Sequence, residues 1–246
     1  MKKSFLQQDL IRSLLLIVGL LYYGAPALAS ECDFEVNNMC YNFIEGKPNE
    51  VAVTYRWYEG GRYGDGFSAH YTGAVTVPAT VSYNGTTYKV TAVGGSAFRE
   101  CSITSVSLPS TITSIGSSAF CDCSSLTSIT LPQGVTSIGA GAFNGCIYLN
   151  SINMPSGITD IGASAFYDCR NLYSISFPSK LNTIGAEAFT NTGWYNSQAD
   201  GLLYIGTILY KYKGTMPEGS SIKLKWGTTR IAGSAFSGCT GLVKLA

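Results

Sequence analysis

The sequence predicts a solenoid, a fold in which short coils of similar sequence stack on one another, and three regularities indicate it. The stretch ITSIGSSAFCDCSSLTSITLPQG, residues 112–134, returns as VTSIGAGAFNGCIYLNSINMPSG, residues 135–157. Ile-Gly pairs recur every 23 residues, beginning at Ile115, Ile138, Ile161 and Ile184. Ala-Phe pairs follow them, with phenylalanines at Phe98, Phe120, Phe143, Phe166, Phe189 and Phe236. Because one coil cannot bury its own apolar face, neighbouring coils must share a core.

Within each period, Leu-x-x-Ile-x-Leu is the signature of a leucine-rich repeat. Thr127–Leu131 alternates polar and apolar residues, so we predict one short parallel strand per coil, with Ile129 and Leu131 pointing inward. Pro132 ends this strand because proline cannot donate to a ladder. We expect Gly139 to adopt a backbone conformation that a residue with a Cβ would resist. Phe143 is predicted to fill the core from the other side of the coil.

Residues 1–29 have the pattern of a secretory signal peptide. Lys2, Lys3 and Arg12 give a positive start, an apolar run follows over residues 14–23, and Ala27-Leu28-Ala29 is a small-x-small cleavage site. The apolar run is too short to span a bilayer. We therefore predict cleavage near Ala29, an exported mature protein and no membrane span.

Residues 30–92 are predicted to form a β-rich N-terminal cap that covers the open end of the solenoid. Thr80–Val90 indicates a β-hairpin, since Asn84-Gly85 suits the positive φ angles of a two-residue turn. Val51–Tyr58 alternates as a strand does.

The solenoid is predicted over residues 93–246, with one break in its register. From Ile184 to Ile231 the spacing is two coils plus one residue, and Gln198 and Asp200 fall at strand positions that call for apolar residues. Residues 194–220, approximately, therefore leave the ideal coil. Within them, GLLYIGTILYKYKG predicts an inserted β-hairpin around Gly206.

The last repeat begins at Cys239 and puts Leu245 in the place of Ile129, so that the sequence stops within a strand at Ala246. We expect the solenoid to be C-terminally incomplete and its uncapped end to allow end-to-end self-association.

The repeated Ile-Gly-x-x-Ala-Phe, the cysteine after it and the Leu-Pro after the strand closely resemble the BspA-like family of bacterial leucine-rich-repeat surface proteins. The matching residues run over 93–189 and resume at Ile222, and YTGAVTVPATVSYNGTTYKVTAVGGSAF resembles the usual lead-in of that family. The resemblance implies a curved solenoid for adhesion or protein recognition, secreted or held at the bacterial cell surface.

Five of the eight cysteines share one repeat position: Cys101, Cys123, Cys146, Cys169 and Cys239. In stacked coils they should form a ladder about 4.8 Å apart with parallel Cα–Cβ bonds, whereas a disulfide needs converging Cβ atoms about 3.8 Å apart. We predict buried thiols. For Cys32 and Cys40, loop size favours a bridge. A two-residue turn at Asn37-Asn38 would instead place Cys40 opposite Glu35 and Cys32 about 10 Å away, and a longer turn would reverse this.

Composition and motifs speak against several functions. The formal net charge is +1, which gives no basic field for nucleic acid. The one histidine, His70, would need Asp65 and a serine from the cap to form a hydrolase triad, and no nucleophile-elbow motif accompanies it. We find no phosphate-binding glycine motif and no zinc spacing. The sequence therefore predicts neither an enzyme nor a bound cofactor or metal.

Two surfaces are candidates for binding. Short polar residues face outward along the predicted strands, and two interpretations remain open: a solvated sheet, or a recognition face. The inserted segment is aromatic and basic, and it supplies our candidate binding residues: Trp194, Tyr204, Tyr210, Lys211, Tyr212, Lys213 and Lys223. Tyr195, Lys225 and Trp226 lie beside them. We expect the alternate tyrosines to face the solenoid and the lysines to form a basic outer face.

The predicted function is an exported or cell-surface module for protein–protein interaction or adhesion, without catalysis. Its partner would be a protein of a host or neighbouring cell, and the basic face would suit an acidic protein or an anionic glycan. The alternative is a carbohydrate-binding surface protein whose aromatic residues stack on sugar rings. These would come from the inserted hairpin and from the cap, which has Trp57, Tyr58, Tyr63, Phe67 and Tyr71.

Overall fold

The fold was analysed in a computed structural model, which describes residues 32–55 and 71–246. The predicted signal peptide lies outside the described residues, as do His70, Asp65 and the cap aromatics at positions 57, 58, 63 and 67. The described part of the cap contains six strands: β1 (Phe34–Val36), β2 (Met39–Ile44), β3 (Lys47–Thr54), β4 (Thr72–Thr76), β5 (Thr80–Tyr83) and β6 (Thr86–Val93).

The cap begins as an antiparallel sheet, β1-β2-β3, and becomes parallel where β3 meets β6. The predicted hairpin is confirmed: β5 and β6 pair antiparallel around Asn84 and Gly85, whose φ angles are 48° and 77°. Strand β6 then pairs in parallel with the first short strand of the solenoid. A single nine-stranded sheet therefore runs from the cap into the repeats.

A disulfide joins Cys32 to Cys40, with Cα atoms 5.6 Å apart. The two-residue turn at Asn37-Asn38 is present, and Glu35 lies opposite Cys40. The argument that this turn keeps the cysteines apart is wrong, because β1 starts only at Phe34 and the chain bends at Asp33. The Asp33 carboxylate accepts a hydrogen bond from the Phe43 N–H at 2.7 Å, which holds the bend against β2.

Regular coils contribute up to two strands instead of the single predicted one. One set lies just before the glycines and pairs in parallel from coil to coil: β8 (Ser114–Ile115), β10 (Ser137–Ile138), β12 (Asp160–Ile161) and β13 (Thr183–Ile184). The other set contains the predicted strands β7 (Ser102–Ser107), β9 (Ser128–Thr130) and β11 (Ser151–Asn153). Ser174–Phe177, the corresponding stretch of the next coil, forms no strand.

The glycine after each isoleucine is required by close approach of neighbouring coils. A Cβ on Gly139 would lie 2.5 Å from the Gly116 carbonyl carbon, and one on Gly162 would lie 2.4 Å from the Ala140 nitrogen. The expectation of a special backbone conformation at Gly139 is therefore wrong, since its φ is not positive. Backbone touches backbone at this position in every regular step of the array.

A column of parallel rings runs through the core. Consecutive rings of Phe98, Phe120, Phe143, Phe166 and Phe189 are 5.1 to 5.4 Å apart between centroids and tilt by 11° or less. All five side chains are fully buried. The prediction that this phenylalanine position fills the core is confirmed.

The predicted thiol ladder lies beside this column. The thiol of Cys123 donates to the Phe98 carbonyl oxygen of the preceding coil at 2.9 Å, and Cys146 and Cys169 donate to Phe120 and Phe143 at 3.0 Å. Burial raises the pKa of all three thiols. These cysteines form no disulfide, as predicted. Cys101 is also a buried thiol outside any disulfide, whereas Cys239 forms no disulfide but is only half-buried, so the prediction of burial is wrong there.

After Phe189 the array is interrupted by a short helix, α1 (Gly193–Asn196), and by the predicted hairpin of β14 (Gly201–Ile205) and β15 (Ile208–Lys213). The turn glycine is Gly206, with φ 61°. The remaining strands are β16 (Ser220–Ile222), β17 (Arg230–Ile231) and β18 (Leu242–Leu245). Because β15 pairs in parallel with β17, the second hairpin strand takes the place of a coil strand.

A tyrosine hydroxyl continues the hydrogen-bond ladder across this interruption. In regular coils the phenylalanine N–H donates to the alanine carbonyl of the next coil, as from Phe143 to Ala165 at 2.7 Å. The next coil is missing beside Phe189, and its N–H donates to the Tyr210 Oη at 2.8 Å. Tyr210 is 1% exposed, and burial raises its pKa to about 12.

We predict that Tyr210→Phe lowers the free energy of unfolding by about 1–3 kcal/mol, because the buried Phe189 N–H loses its acceptor while the ring stays in place. Reversible denaturant unfolding measures the change. The matched control is Tyr173→Phe, whose side chain is 65% exposed, and which should change stability by less than about 0.5 kcal/mol. Equal effects of the two substitutions would contradict the assignment.

Candidate binding surfaces

The first candidate is the open polar face, which we define as the outward residues of β7, β9 and β11. Strands β9 and β11 pair in parallel with Ser128 opposite Ser151 and Thr130 opposite Asn153. Between them Ile129 and Ile152 point into the core. The outward side chains are uncharged and exposed: Ser105, Ser107, Ser128, Thr130, Ser151 and Asn153.

A shallow groove of about 530 Å³ crosses the open polar face. Its walls combine hydroxyls of Ser105, Ser107 and Ser128 with Gln133 from the adjoining turn. The fold fixes the spacing of these side chains through the buried residues between them, so this face presents a rigid row of hydrogen-bonding groups.

The second candidate is the inserted segment, and here the structure assigns most of the predicted residues to packing. Tyr210 is buried, and Trp194 is half-buried with its ring 5.0 Å from Phe177 and 5.7 Å from Phe189. Both aromatic residues close the end of the phenylalanine column. The expectation that aromatics of the hairpin face inward holds for Tyr210, while Tyr212 is half-buried.

The predicted basic outer face of the hairpin is wrong for Lys211 and Lys213, because both ammonium groups are bound within the protein. Lys211 forms a short ion pair with Glu187, and its side chain is only 16% exposed. Lys213 donates to the backbone carbonyls of Asn196 and Gln198 at the end of α1 and lies 5.5 Å from the Tyr195 ring centroid. Lys211 thus fastens the hairpin to the repeats, and Lys213 fastens it to the segment around α1.

Glu187 itself occupies a position with positive φ, 57°, where the other coils carry serine or glycine. Burial opposes its ionisation, but hydrogen bonds from Lys211 and Thr190 and the positive charge of Lys211 outweigh burial and hold its pKa below the ordinary value. Sequence reasoning missed this residue, although a glutamate at a serine or glycine position was a visible signal.

The remaining predicted residues, Tyr204 and Lys223, lie towards the last coils. The Tyr204 Oη accepts hydrogen bonds from the Lys225 N–H at 3.0 Å and the Thr228 Oγ1 at 3.3 Å. Lys223 is exposed. Next to them Trp226, which was not among our candidate site residues, is 98% exposed.

Other predicted features have mixed outcomes. Of the five cap aromatics suggested for sugar stacking, only Tyr71 lies in the described residues. It is buried, and its hydroxyl accepts a hydrogen bond from the Cys40 N–H at 3.2 Å. In residues 32–55 and 71–246, no group of three or more His, Cys, Asp or Glu side chains could hold a metal ion. Nor does this part of the chain contain a helix with the length and apolar character needed to cross a bilayer.

The stacked coils, with one phenylalanine position and one cysteine position repeated through the core, define a leucine-rich-repeat solenoid. The chain belongs to the BspA type leucine rich repeat region family, six copies of which match residues 91–215. This confirms the resemblance found in the sequence. No curated protein matches the chain.

Solved bacterial leucine-rich-repeat proteins have the same fold. A leucine rich cell surface protein from Faecalibacterium prausnitzii is 24% identical with a TM-score of 0.56, and the match covers 88% of this chain and 55% of that one. The T. pallidum leucine rich repeat protein TpLRR is 24% identical with a TM-score of 0.53, covering 88% and 82%. The pneumococcal vaccine antigen PcpA is 20% identical with a TM-score of 0.51, covering 88% and 65%. The chain thus spans about half of the F. prausnitzii protein.

We predict that the ion pair between Glu187 and Lys211 makes the docking of the hairpin acid-sensitive. The pKa of Glu187 is lowered in the folded protein. The ion pair therefore stabilises the fold above the ordinary pKa of 4.5, and this stabilisation is lost as the pH falls through the pKa of Glu187 in the folded state. Thermal unfolding of wild type and Glu187→Gln should differ at neutral pH and converge as the pH falls below 4.5. A difference that stays constant over this range would contradict the assignment.

Proposed function

We propose that the protein is exported, through cleavage of the segment ending near Ala29, and acts at or outside the bacterial cell surface as an adhesion or protein-interaction module without catalysis. Its partner is a protein of a host or neighbouring cell. The observation that carries this proposal is the open polar face, whose outward side chains are exposed while the residues between them build the core.

Two physical arguments support a binding role for this face. Its side chains are short, so ordering them on contact costs little conformational entropy. Their hydroxyl and amide groups both donate and accept, which suits a partner that presents polar backbone or side-chain groups. Repeat solenoids commonly bind through such extended surfaces.

The test is a binding screen of the mature chain, residues 30–246, on protein and glycan arrays, followed by substitutions. Ser128→Arg and Ser151→Arg put a long charged side chain on the open polar face and should weaken binding to a protein by at least about tenfold. The matched control is Ala140→Arg, which adds the same charge at an exposed position after β10. Retention on glycans alone would support the carbohydrate-binding alternative, and equal effects of all three substitutions would contradict the proposed face.

We also propose that two copies associate through apolar side chains of the last strand. On β18, Val243 is 70% and Leu245 42% exposed. Apolar surface of this kind gains from burial against a second copy. Sedimentation velocity should show a concentration-dependent dimer that Val243→Asp abolishes, and a monomer at every concentration would contradict the proposal.

A further inference from the structure

One turn of each coil exposes its second residue, and that residue is tryptophan in the coil that follows the insertion. A four-residue turn follows each strand of the open polar face and the corresponding stretches of the later coils. A backbone hydrogen bond closes it, from the N–H of its fourth residue to the carbonyl oxygen of its first, as from Val135 to Pro132 at 3.0 Å and from Thr228 to Lys225 at 3.1 Å. The second residue of these turns is Ser110, Gln133, Ser156, Ser179 and Trp226 in successive turns.

The exposure of Trp226 is a property of this turn position. Gln133 and Ser156 are exposed although regular coils stack on both sides of them. Trp226 is 98% exposed, so its indole ring contacts almost nothing of its own chain. Its side chain therefore contributes little to the fold, and Trp226→Ser should leave the fold unchanged.

The inserted hairpin holds this turn in place. Tyr204 on β14 accepts hydrogen bonds from the Lys225 N–H and the Thr228 hydroxyl, on either side of Trp226. The Lys225 Nζ lies 5.9 Å from the centroid of the Tyr204 ring. Gly227 has a positive φ of 82°, which the corresponding residues of the other turns do not have. A turn fixed in this way loses little freedom when it binds, which favours affinity.

The surroundings of the ring are basic. Lys223, Lys225 and Arg230 are all exposed, and none of the described carboxylates forms an ion pair with Lys223 or Lys225. Arg230 is held by its Nε, which donates to the Asn182 Oδ1 at 2.7 Å. Unpaired lysines beside an exposed apolar ring match a partner with carboxylates around an apolar pocket.

We propose that Trp226 and its flanking lysines form a docking element that inserts into an apolar pocket with an acidic rim on a protein partner. The inference rests on the proposed protein binding and names the chemistry of that partner. The indole projects from a turn, so a partner removes it from water only by enclosing it, which a folded protein surface or a peptide collapsed around the ring does. Tryptophan is one of the residue types enriched in interface hot spots.

The experiment uses a displayed random peptide library, selected on the wild-type mature chain and counter-selected on Trp226→Ser. We expect enriched peptides that combine Asp or Glu with apolar residues. A synthetic peptide of the enriched sequence should bind Trp226→Ser at least about tenfold more weakly than wild type. Raising the salt from about 0.05 M to about 0.3 M should weaken wild-type binding, and Lys225→Gln should reduce that dependence.

Two variants separate this site from the open polar face. Gln133→Ala changes the same turn position three turns earlier along the row and should bind the peptide as wild type does. Ser128→Arg should also bind it normally, even where it abolishes binding on the arrays. Peptides that bind Trp226→Ser unchanged, peptides without acidic residues, or the absence of any enrichment would overturn the proposal. Trp226-dependent retention on an anionic polysaccharide without peptide binding would overturn it in favour of a glycan.

Discussion

The contact between the backbones of consecutive coils is the constraint on which the rest of the structure depends. A Cβ on Gly116, Gly139, Gly162 or Gly185 would lie within 2.6 Å of the backbone of the coil before it, so each step of the array closes to the same short distance. That distance sets the separation of the phenylalanine rings, 5.1 to 5.4 Å, and lets each cysteine thiol reach a carbonyl of the preceding coil. Core packing and hydrogen bonding therefore follow from one backbone contact, and so does the regular spacing of the open polar face.

The insertion shows what happens when a regular coil is absent. Beside Phe189 the missing carbonyl is replaced by the Tyr210 hydroxyl, and the N–H of Ala232 donates to Leu209 of the hairpin as Gly139 donates to Ile115 in a regular step. Alanine occurs at position 232 because its neighbour is a hairpin strand, which leaves room for a Cβ. The hairpin thus satisfies the backbone groups of a coil while freeing its other residues from the repeat pattern.

These observations explain how much the sequence could predict. Period, phenylalanine column, thiol ladder and both hairpins follow from local spacing and turn chemistry, and all appear in the structure. The strands before the glycines were missed because two residues, as in Ser137–Ile138, carry no detectable alternation. The Cys32–Cys40 bridge and the pairing of Lys211 with Glu187 depend on a bend and on a contact between distant residues, which periodicity does not encode. Hairpin alternation correctly placed Tyr210 inward, but it could not show that a carboxylate of the repeats and carbonyl groups beside α1 would bind the lysines.

The same reasoning decides where binding energy can come from. A side chain that already contacts its own protein must give up that contact before it binds a partner, so Tyr210, Lys211 and Lys213 are poorly placed for recognition despite their chemistry. Trp226 is almost fully exposed, so on binding a partner it loses contacts with water and almost none with its own chain. It lies on a turn that the hairpin holds through Tyr204, and the hairpin in turn is anchored by the tyrosine and lysines that the sequence suggested as binding residues. In the proposed docking element the inserted segment therefore acts as a support. Its aromatic and basic residues hold a hairpin in place, and that hairpin positions an exposed ring belonging to the next coil.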